Sequence, residues 1–238
     1  MLKAVFLFDV TGFMALPWAK AGYTCYCFDG QHPAGVSISE LHPNILNVGL
    51  WFSSDVNGDV SALDVGKIKS FTGDDVSFVF GFPECTQLAV SGAAHFAKKR
   101  EANPLFQDEA MVLVHLTRLL GDDLNCPWAF ENPVSVISTK WRKPDFSFHP
   151  FNYGRYLPED DVHPTYPEYI KPRDAYPKKT CIWSGNGFEM PSKMSVPVQD
   201  GYSDQHKKLG GKSLKTKNIR SATPRGFAQA VFESNNEA

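Results

Sequence analysis

The chain has 238 residues, of which 42% are hydrophobic and 21% charged, with a formal net charge of −2. That is enough for one sizeable globular domain and too ordinary in charge for a disordered chain. No run approaches the roughly 20 uninterrupted apolar residues of a membrane-spanning helix, which excludes that class.

In chain order, residues 3–8 read as a short buried strand, followed by a turn and a helix near 14–21. The opening MLKAVFLFDVTGFMALPWAKAG has the lysine, apolar run and Ala-x-Ala ending of a secretory signal. Asp9 interrupts its apolar core, however, so it is read as strand, turn and helix. Residues 23–28 form a second strand that ends at Asp29-Gly30. Residues 30–60 read as loop-rich, with a strand near 46–52 and a turn at Asn57-Gly58-Asp59. Val76–Phe80 is a further buried strand. Residues 91–101 and 105–120 are helical, the second with apolar positions at 105, 106, 112, 113, 116, 119 and 120. Gly121 is expected to end it. Pro127–Phe130 then leads as a strand into Glu131-Asn132-Pro133. This alternation predicts an α/β layer fold with a mostly parallel sheet, whose ligands sit outside the carboxyl ends of the strands.

Residues 144–177 hold seven prolines and eight Phe/Tyr, with no helical period. They are expected outside the sheet as a long ordered loop. Their aromatics are either exposed for base stacking or used to pack the loop down. Residues 179–184 return to strand character, and Thr223-Pro224 supplies an N-cap and first-turn proline for a final helix over 224–233. Residues 205–238 carry seven Lys/Arg and two acids, a local +5 against −7 for the rest. Such a segment is a solvated tail or the footprint of a polyanionic partner. The domain reading is a main unit of 1–143 and 178–238, with 144–177 as a small insertion and 205–222 as the basic segment. Cys25, Cys27, Cys85, Cys126 and Cys181 are odd in number and scattered, which fits free thiols in a reducing compartment. Cys25 and Cys27 should point to one face of their strand rather than at a shared metal, and no metal site is expected.

Three places could carry chemistry. In LFDVTGFMALPWAKAGY, Gly12 lies in the turn and Asp29 closes the next strand. A glycine there admits a nucleoside-type ligand close to the backbone, and the carboxylate accepts from ribose hydroxyls. Cys85 stands at a strand end beside Pro83, ahead of a helix starting near Ser91. Backbone N–H groups in that position lower a thiol's pKa and make it nucleophilic; an inert buried thiol is the plain alternative. Glu131 ends a buried strand, where a carboxyl is costly without a partner or a task. With a raised pKa it could donate a proton to a ring nitrogen; otherwise it is a surface Glu in an Asn-Pro turn.

Phe80-Gly81-Phe82-Pro83-Glu84-Cys85, Ser91-Gly92 and Phe130-Glu131-Asn132-Pro133 together resemble the catalytic blocks of the DNA (cytosine-5) methyltransferases. The usual forms there are Pro-Pro-Cys or Pro-Cys-Gln, and Glu-Asn-Val. Leu7-Phe8, Gly12 and Ala21-Gly22 are similar in spacing to that family's S-adenosylmethionine loop. Small phage- and prophage-type members look most alike. Their Phe/Tyr-Gly, Lys-x-Thr-Cys-Leu-Trp and Arg-Ser-x-Thr-Pro-x-Gly-Phe-Ala blocks correspond to Phe151–Gly154, Lys178–Trp183 and Arg220–Ala228. The ordered set spans nearly the whole chain. Val10 replaces the family's first loop glycine, Glu84 precedes the cysteine in place of Pro or Ser, and no large target-recognition domain is present. The Gln-x-Arg-x-Arg block is missing, with Lys178 and Lys179 as its best substitutes.

The resemblance implies a Rossmann-like S-adenosylmethionine-dependent methyltransferase fold and a DNA cytosine C5-methyltransferase. It implies Cys85 as the nucleophile on a flipped cytosine, Glu131 at the ring's N3, Asn132 fixing Glu131, and Lys179 offsetting negative charge. Phe8, Asp9, Thr11, Gly12, Asp29, Asp59, Pro83 and Thr223 would hold the cofactor. Ser91, Lys178, Lys207, Lys208, Lys212, Lys215, Lys217 and Arg220 would hold DNA. The corresponding setting is the cytoplasm of a bacterium or phage-infected host, with a monomer as default. The alternatives are C5 modification of a free cytosine nucleotide or RNA, and a catalytically silent DNA- or cofactor-binding homologue serving as an anti-restriction decoy.

Overall fold

Side chains that alternate between two buried faces build the centre of the molecule. In β1 (Lys3–Leu7), Ala4 and Phe6 enter one core cluster while Val5 and Leu7 enter another, all four fully buried. A strand of that kind must be covered on both faces. The computed structural model describes residues 2–56, 60–198, 205, 208–210 and 213–236. The further strands are β2 (Thr24–Ile38), β3 (Ile45–Gly49), β4 (Phe78–Gly81), β5 (Trp128–Pro133), β6 (Phe146–Phe148) and β7 (Thr180–Gly185). Their order in one sheet is β3-β2-β1-β4-β5-β7-β6. β1 pairs in parallel with β2 and β4, and β4 with β5, whereas β7 runs antiparallel to both of its neighbours. This is the expected α/β fold with a mostly parallel sheet. Strand order reverses between β1 and β4, and the crevice outside such a switch point is where ligands bind in open α/β sheets.

The helices are α1 (Ala15–Lys20), α2 (Val60–Thr72), α3 (Phe96–Ala102), α4 (Phe106–Asp123), α5 (Ile137–Lys140), α6 (Leu214–Ser221) and α7 (Arg225–Asn235). On one face Trp18 of α1 stacks on Phe78 at 4.3 Å and Phe227 of α7 stacks on Phe148 at 4.0 Å. Cys25 and Cys27 share this face as expected, and burial pushes both thiols up. On the other face Ile68 of α2 and Val114 and Leu120 of α4 cover Val5, Val79 and Phe130.

Several sequence expectations are corrected. Strand β2 does not stop at Gly30. Cys25 to Asp29 run beside Ile45 to Gly49, and then Val36, Ser37 and Ile38 return opposite Val48, Asn47 and Leu46. The descending register makes this outer run antiparallel to β3, where a loop was expected. The chain crosses the end of β3 at Gly49, because a Cβ there would stand 2.1 Å from the Pro33 carbonyl oxygen. Helix α4 passes through Gly121 rather than ending at it. The glycine serves packing, since an added Cβ would meet Trp128 Cδ1 at 2.4 Å. Helices α2 and α6 had no counterpart in the sequence reading.

Of the two alternatives for the insertion's aromatics, packing the segment down is the one seen, and its start departs from the expected loop outside the sheet. Phe146–Phe148 joins the sheet as β6. Phe148, Tyr153 and Tyr176 are buried, four more of the eight aromatics are half-buried, and Phe146 alone is exposed. A segment with few ladder hydrogen bonds is held by its own rings and by the last helix. Arg225 donates from Nη1 and Nη2 to the two oxygens of Asp161, at 2.8 and 2.6 Å. Helix α7 has no side-chain cap at Pro224, so the expected Thr223 cap is absent. Asp174 supplies the acceptor instead, taking the Gly226 N–H at 2.9 Å.

Burial raises the Asp174 carboxyl to about 6, against the pull of Gly226 and Arg225. The folded chain therefore keeps this proton to higher pH than the unfolded chain. The resulting stabilisation is complete below the ordinary 3.8 and lost as pH rises through about 6. Asp174→Asn keeps the acceptor and removes the titration. Its stability relative to the native chain should rise by about 2 kcal/mol between pH 4 and 7.5, measured by urea unfolding at both pH values.

Candidate active site

β4 ends at Gly81, opposite Phe130, and runs into a turn, while β5 continues beside that turn to Pro133. The buried Asn132 amide of β5 donates from Nδ2 to the Pro83 carbonyl oxygen at 3.0 Å, tying the turn after β4 to the end of β5. Further out, Val90 N donates to Val134 O and Val136 N to Leu88 O, both at 3.0 Å. Between these ties Cys85 heads a tight turn, its carbonyl oxygen accepting from Leu88 N and Ala89 N at 3.0 and 2.8 Å. The half-buried Cys85 thiol and the half-buried Glu131 carboxyl are thereby held within each other's field.

Burial pushes the Cys85 thiol up, the Glu131 charge adds to this, and Lys178 pulls it down. The expected lowering by backbone N–H groups is present only as the weakest influence, from the residue's own N–H, so the resting thiol is less acidic than an ordinary one. Burial likewise raises the Glu131 carboxyl, with Lys178 opposing. Phe82, Glu131, Lys178, Thr180 and Thr223 help to line a cleft closed by Phe148 and Phe227. Cys85 stands outside that lining. Lys178 donates from Nζ to Arg220 O, at the end of α6, at 2.8 Å. Lys179 acts instead on Cys181 and His149. Of the two lysines, Lys178 is the one whose charge reaches both Cys85 and Glu131.

The loop after β1 forms a second group of predicted residues. Asp9 is buried, and its Oδ1 accepts from Thr11 N, Thr11 Oγ1 and Gly12 N at 3.0, 3.1 and 2.8 Å. Its Oδ2 has no partner among the described residues. Phe8 adopts a left-handed φ of 59°, with its N–H on Phe28 O at 2.7 Å; a bulky residue stores strain in that region. Gly12 also needs its φ of +68°, but an added Cβ would face Leu41 at 3.3 Å, so it serves the turn rather than close approach of a ligand. Asp29 accepts from Gln31 N through Oδ1 at 2.7 Å, and burial raises its carboxyl while Glu84 adds to the rise. Sequence reasoning missed Trp51. Its indole lies against Gly30, where an added Cβ would fall 2.1 Å from the ring, yet it is 76% exposed. The strand expected near 46–52 contains Trp51, whereas β3 ends at Gly49 and leaves the ring outside the sheet.

The cations expected to hold DNA divide. Arg220 donates to Leu209 O at 2.7 Å and Lys208 to Glu168 O at 2.8 Å, so both brace the fold as Lys178 does. Lys215 and Lys217 are exposed on α6. Asp59, Lys207 and Lys212 lie outside the described residues. Ser91 is exposed on an arm, a 3-10 turn at Val90–His95 continuing into α3, in which no residue is buried. The arm rests on Lys99, whose Nζ donates to Thr86 O at 2.7 Å, and on Phe96, 5.8 Å from the Phe106 ring. Among the described residues no cluster of metal-binding side chains occurs, and no helix is long and apolar enough to cross a membrane.

No known family's sequence profile matches the chain, and no curated protein matches it.

Cys25, Cys27, Cys126 and Cys181 are buried, so iodoacetamide should modify Cys85 first, with an alkylation midpoint above that of an ordinary thiol. Lys178→Ala should move that midpoint to higher pH and Glu131→Gln to lower pH, as followed by peptide mass spectrometry across a pH series.

Proposed function

We propose that the protein is an S-adenosylmethionine-dependent methyltransferase acting at C5 of cytosine in DNA, with Cys85 as its nucleophile. The observation that carries this reading is the pairing of one half-buried thiol, on the turn after β4, with one half-buried carboxyl at the end of β5, the two held in place by Asn132. The reversed strand β7, and the strand-order switch between β1 and β4, suit a Rossmann-like methyltransferase fold.

Cytosine C5 is a poor nucleophile, and the two side chains answer that. The Cys85 thiolate forms a bond to C6 while the Glu131 carboxyl passes its proton to N3, so the ring's electron density moves to C5. Glu131 suits this step because burial keeps its proton on to higher pH. Lys178 favours the thiolate. S-adenosylmethionine, when bound, supplies the electrophilic methyl group. The C5 proton then leaves to solvent, the C6–S bond breaks with its electron pair returning to sulfur, and Glu131 recovers the N3 proton. C6 is out of reach in a stacked duplex, so the cytosine must be flipped out, at a cost of about a few kcal/mol.

Residues just past the ends of β1 and β3, together with Asp29 within β2, fit the cofactor. Asp29 offers a carboxylate to ribose hydroxyls, the exposed face of Trp51 offers stacking to a purine, and the unpartnered Asp9 Oδ2 can accept one further hydrogen bond.

Mixing the protein with labelled cofactor and DNA containing 5-fluorocytosine should give a denaturation-resistant protein–DNA adduct. Cys85→Ala should give none while still binding the cofactor. Methyl transfer that survives Cys85→Ala would refute the assignment. Trp51→Ala should weaken the cofactor's affinity about tenfold, the loss of one stacking contact, as measured by calorimetry without DNA.

One observation favours a second reading. Lys178, Lys208 and Arg220 are engaged with main-chain carbonyls, which leaves fewer cations for phosphates and suits a free cytosine nucleotide as substrate. Methyl transfer to a mononucleotide in place of DNA distinguishes the two.

A further inference from the structure

Helix α2 turns one stripe inward: Asp64, Val65, Ile68 and Thr72 are buried at helical spacing. Val65 and Ile68 join the core cluster, and the Thr72 hydroxyl donates back to the Ile68 carbonyl oxygen. Asp64 is the exception on this stripe. A carboxyl 1% exposed is costly unless it has partners. Its Oδ2 accepts from Ser53 N, in the loop after β3, at 2.8 Å, and its Oδ1 from Lys67 Nζ at 2.7 Å. Lys67 is 51% exposed and could meet an acid at the surface equally well. Only the Ser53 N–H requires the carboxyl to stand where it does. Ser53 closes a short segment that is held at both ends. At its start, Leu50 N donates to Asp29 O at 3.4 Å. Within it, the Phe52 ring packs edge-on against Phe8 at 5.4 Å and lies 6.2 Å from Phe28. Trp51 sits between these anchors, against Gly30 and largely exposed. Burial does not hold that indole; its neighbours in the chain do.

We propose that Asp64 is a positioning residue for cofactor binding, fixing the segment from Leu50 to Ser53 so that Trp51 presents its open face to the purine beside Asp29. This rests on the reading of Trp51 and Asp29 as cofactor contacts. Asp64 itself touches no ligand. It orders the segment before the cofactor arrives, and the ordering cost removed in this way appears as affinity. Without the carboxyl, Ser53 N–H turns to water and the cofactor must order the segment itself. An apolar residue at 64 would complete the stripe, so the carboxyl's place in the core serves the loop rather than the helix.

Calorimetry of the full chain with S-adenosylmethionine tests it. Asp64→Ala should weaken binding by up to about tenfold, the loss expected of Trp51→Ala, raising the cofactor's KM and leaving kcat at saturation unchanged. Asp64→Val, which continues the apolar stripe, serves in its place if circular dichroism shows the Ala variant unfolded. Asp64→Asn keeps an acceptor for Ser53 N–H and should bind as the native chain does. Lys67→Ala, which removes only the ion pair, should do the same. The deciding comparison is made in a Trp51→Ala background, where Asp64→Ala should cost nothing further, because residues that act through one another are not additive. A native chain that binds no cofactor overturns the cofactor reading and this inference with it. Native binding that Asp64→Ala leaves intact, or weakens equally with Trp51 absent, overturns this inference alone.

Discussion

Everything at the candidate site hangs on a buried amide that joins the end of one strand to a loop distant in sequence. Asn132 Nδ2 donates to the Pro83 carbonyl oxygen at 3.0 Å, and without it that oxygen would be left unpaired beside the core at a cost of about 1–3 kcal/mol. The bond sets where Glu131 ends relative to where Cys85 begins. The two further backbone ties, at Val90 and Val136, extend this control along both turns. The amide's acceptor goes unused, since Asn132 Oδ1 has no partner among the described residues. Its retention in an apolar setting is therefore better explained by positioning than by stability.

The cations show a similar economy. Lys178 takes the end of α6 as its hydrogen-bond partner and from there lowers the pKa values of both Cys85 and Glu131. The C-terminal segment thus reaches the site through main-chain carbonyls rather than by lending free charge. Arg225 and Asp174 do the same for the insertion, clamping it to the start of α7 at Asp161 and Gly226. Insertion, basic segment and sheet consequently form one connected wall around the cleft.

The sheet's centre was legible because β1, β4 and β5 are buried on both faces, and short apolar runs between turn residues encode that directly. Cys85, Glu131 and Asn132 were legible because polar residues at the ends of such runs have no packing explanation. What lay beyond reading depended on long-range contacts. Gly121 has the signature of a helix stop, but its reason is Trp128 pressed against it. Pro33 and Gly35 look like loop residues, yet the run that follows forms an edge because Gly49 lets the chain cross β3. Trp51 on Gly30 and the preference for Lys178 over Lys179 are matters of which way a side chain faces, and spacing alone could not decide them.

The arm from Val90 to Ala102 carries a consequence of its own. With no buried residue in it, its sequence is decoupled from the energetics that keep the sheet folded. Exchange or lengthening of this stretch should be tolerated by the scaffold. Lineages, or an engineer, could revise the neighbourhood of Cys85 here without renegotiating the core.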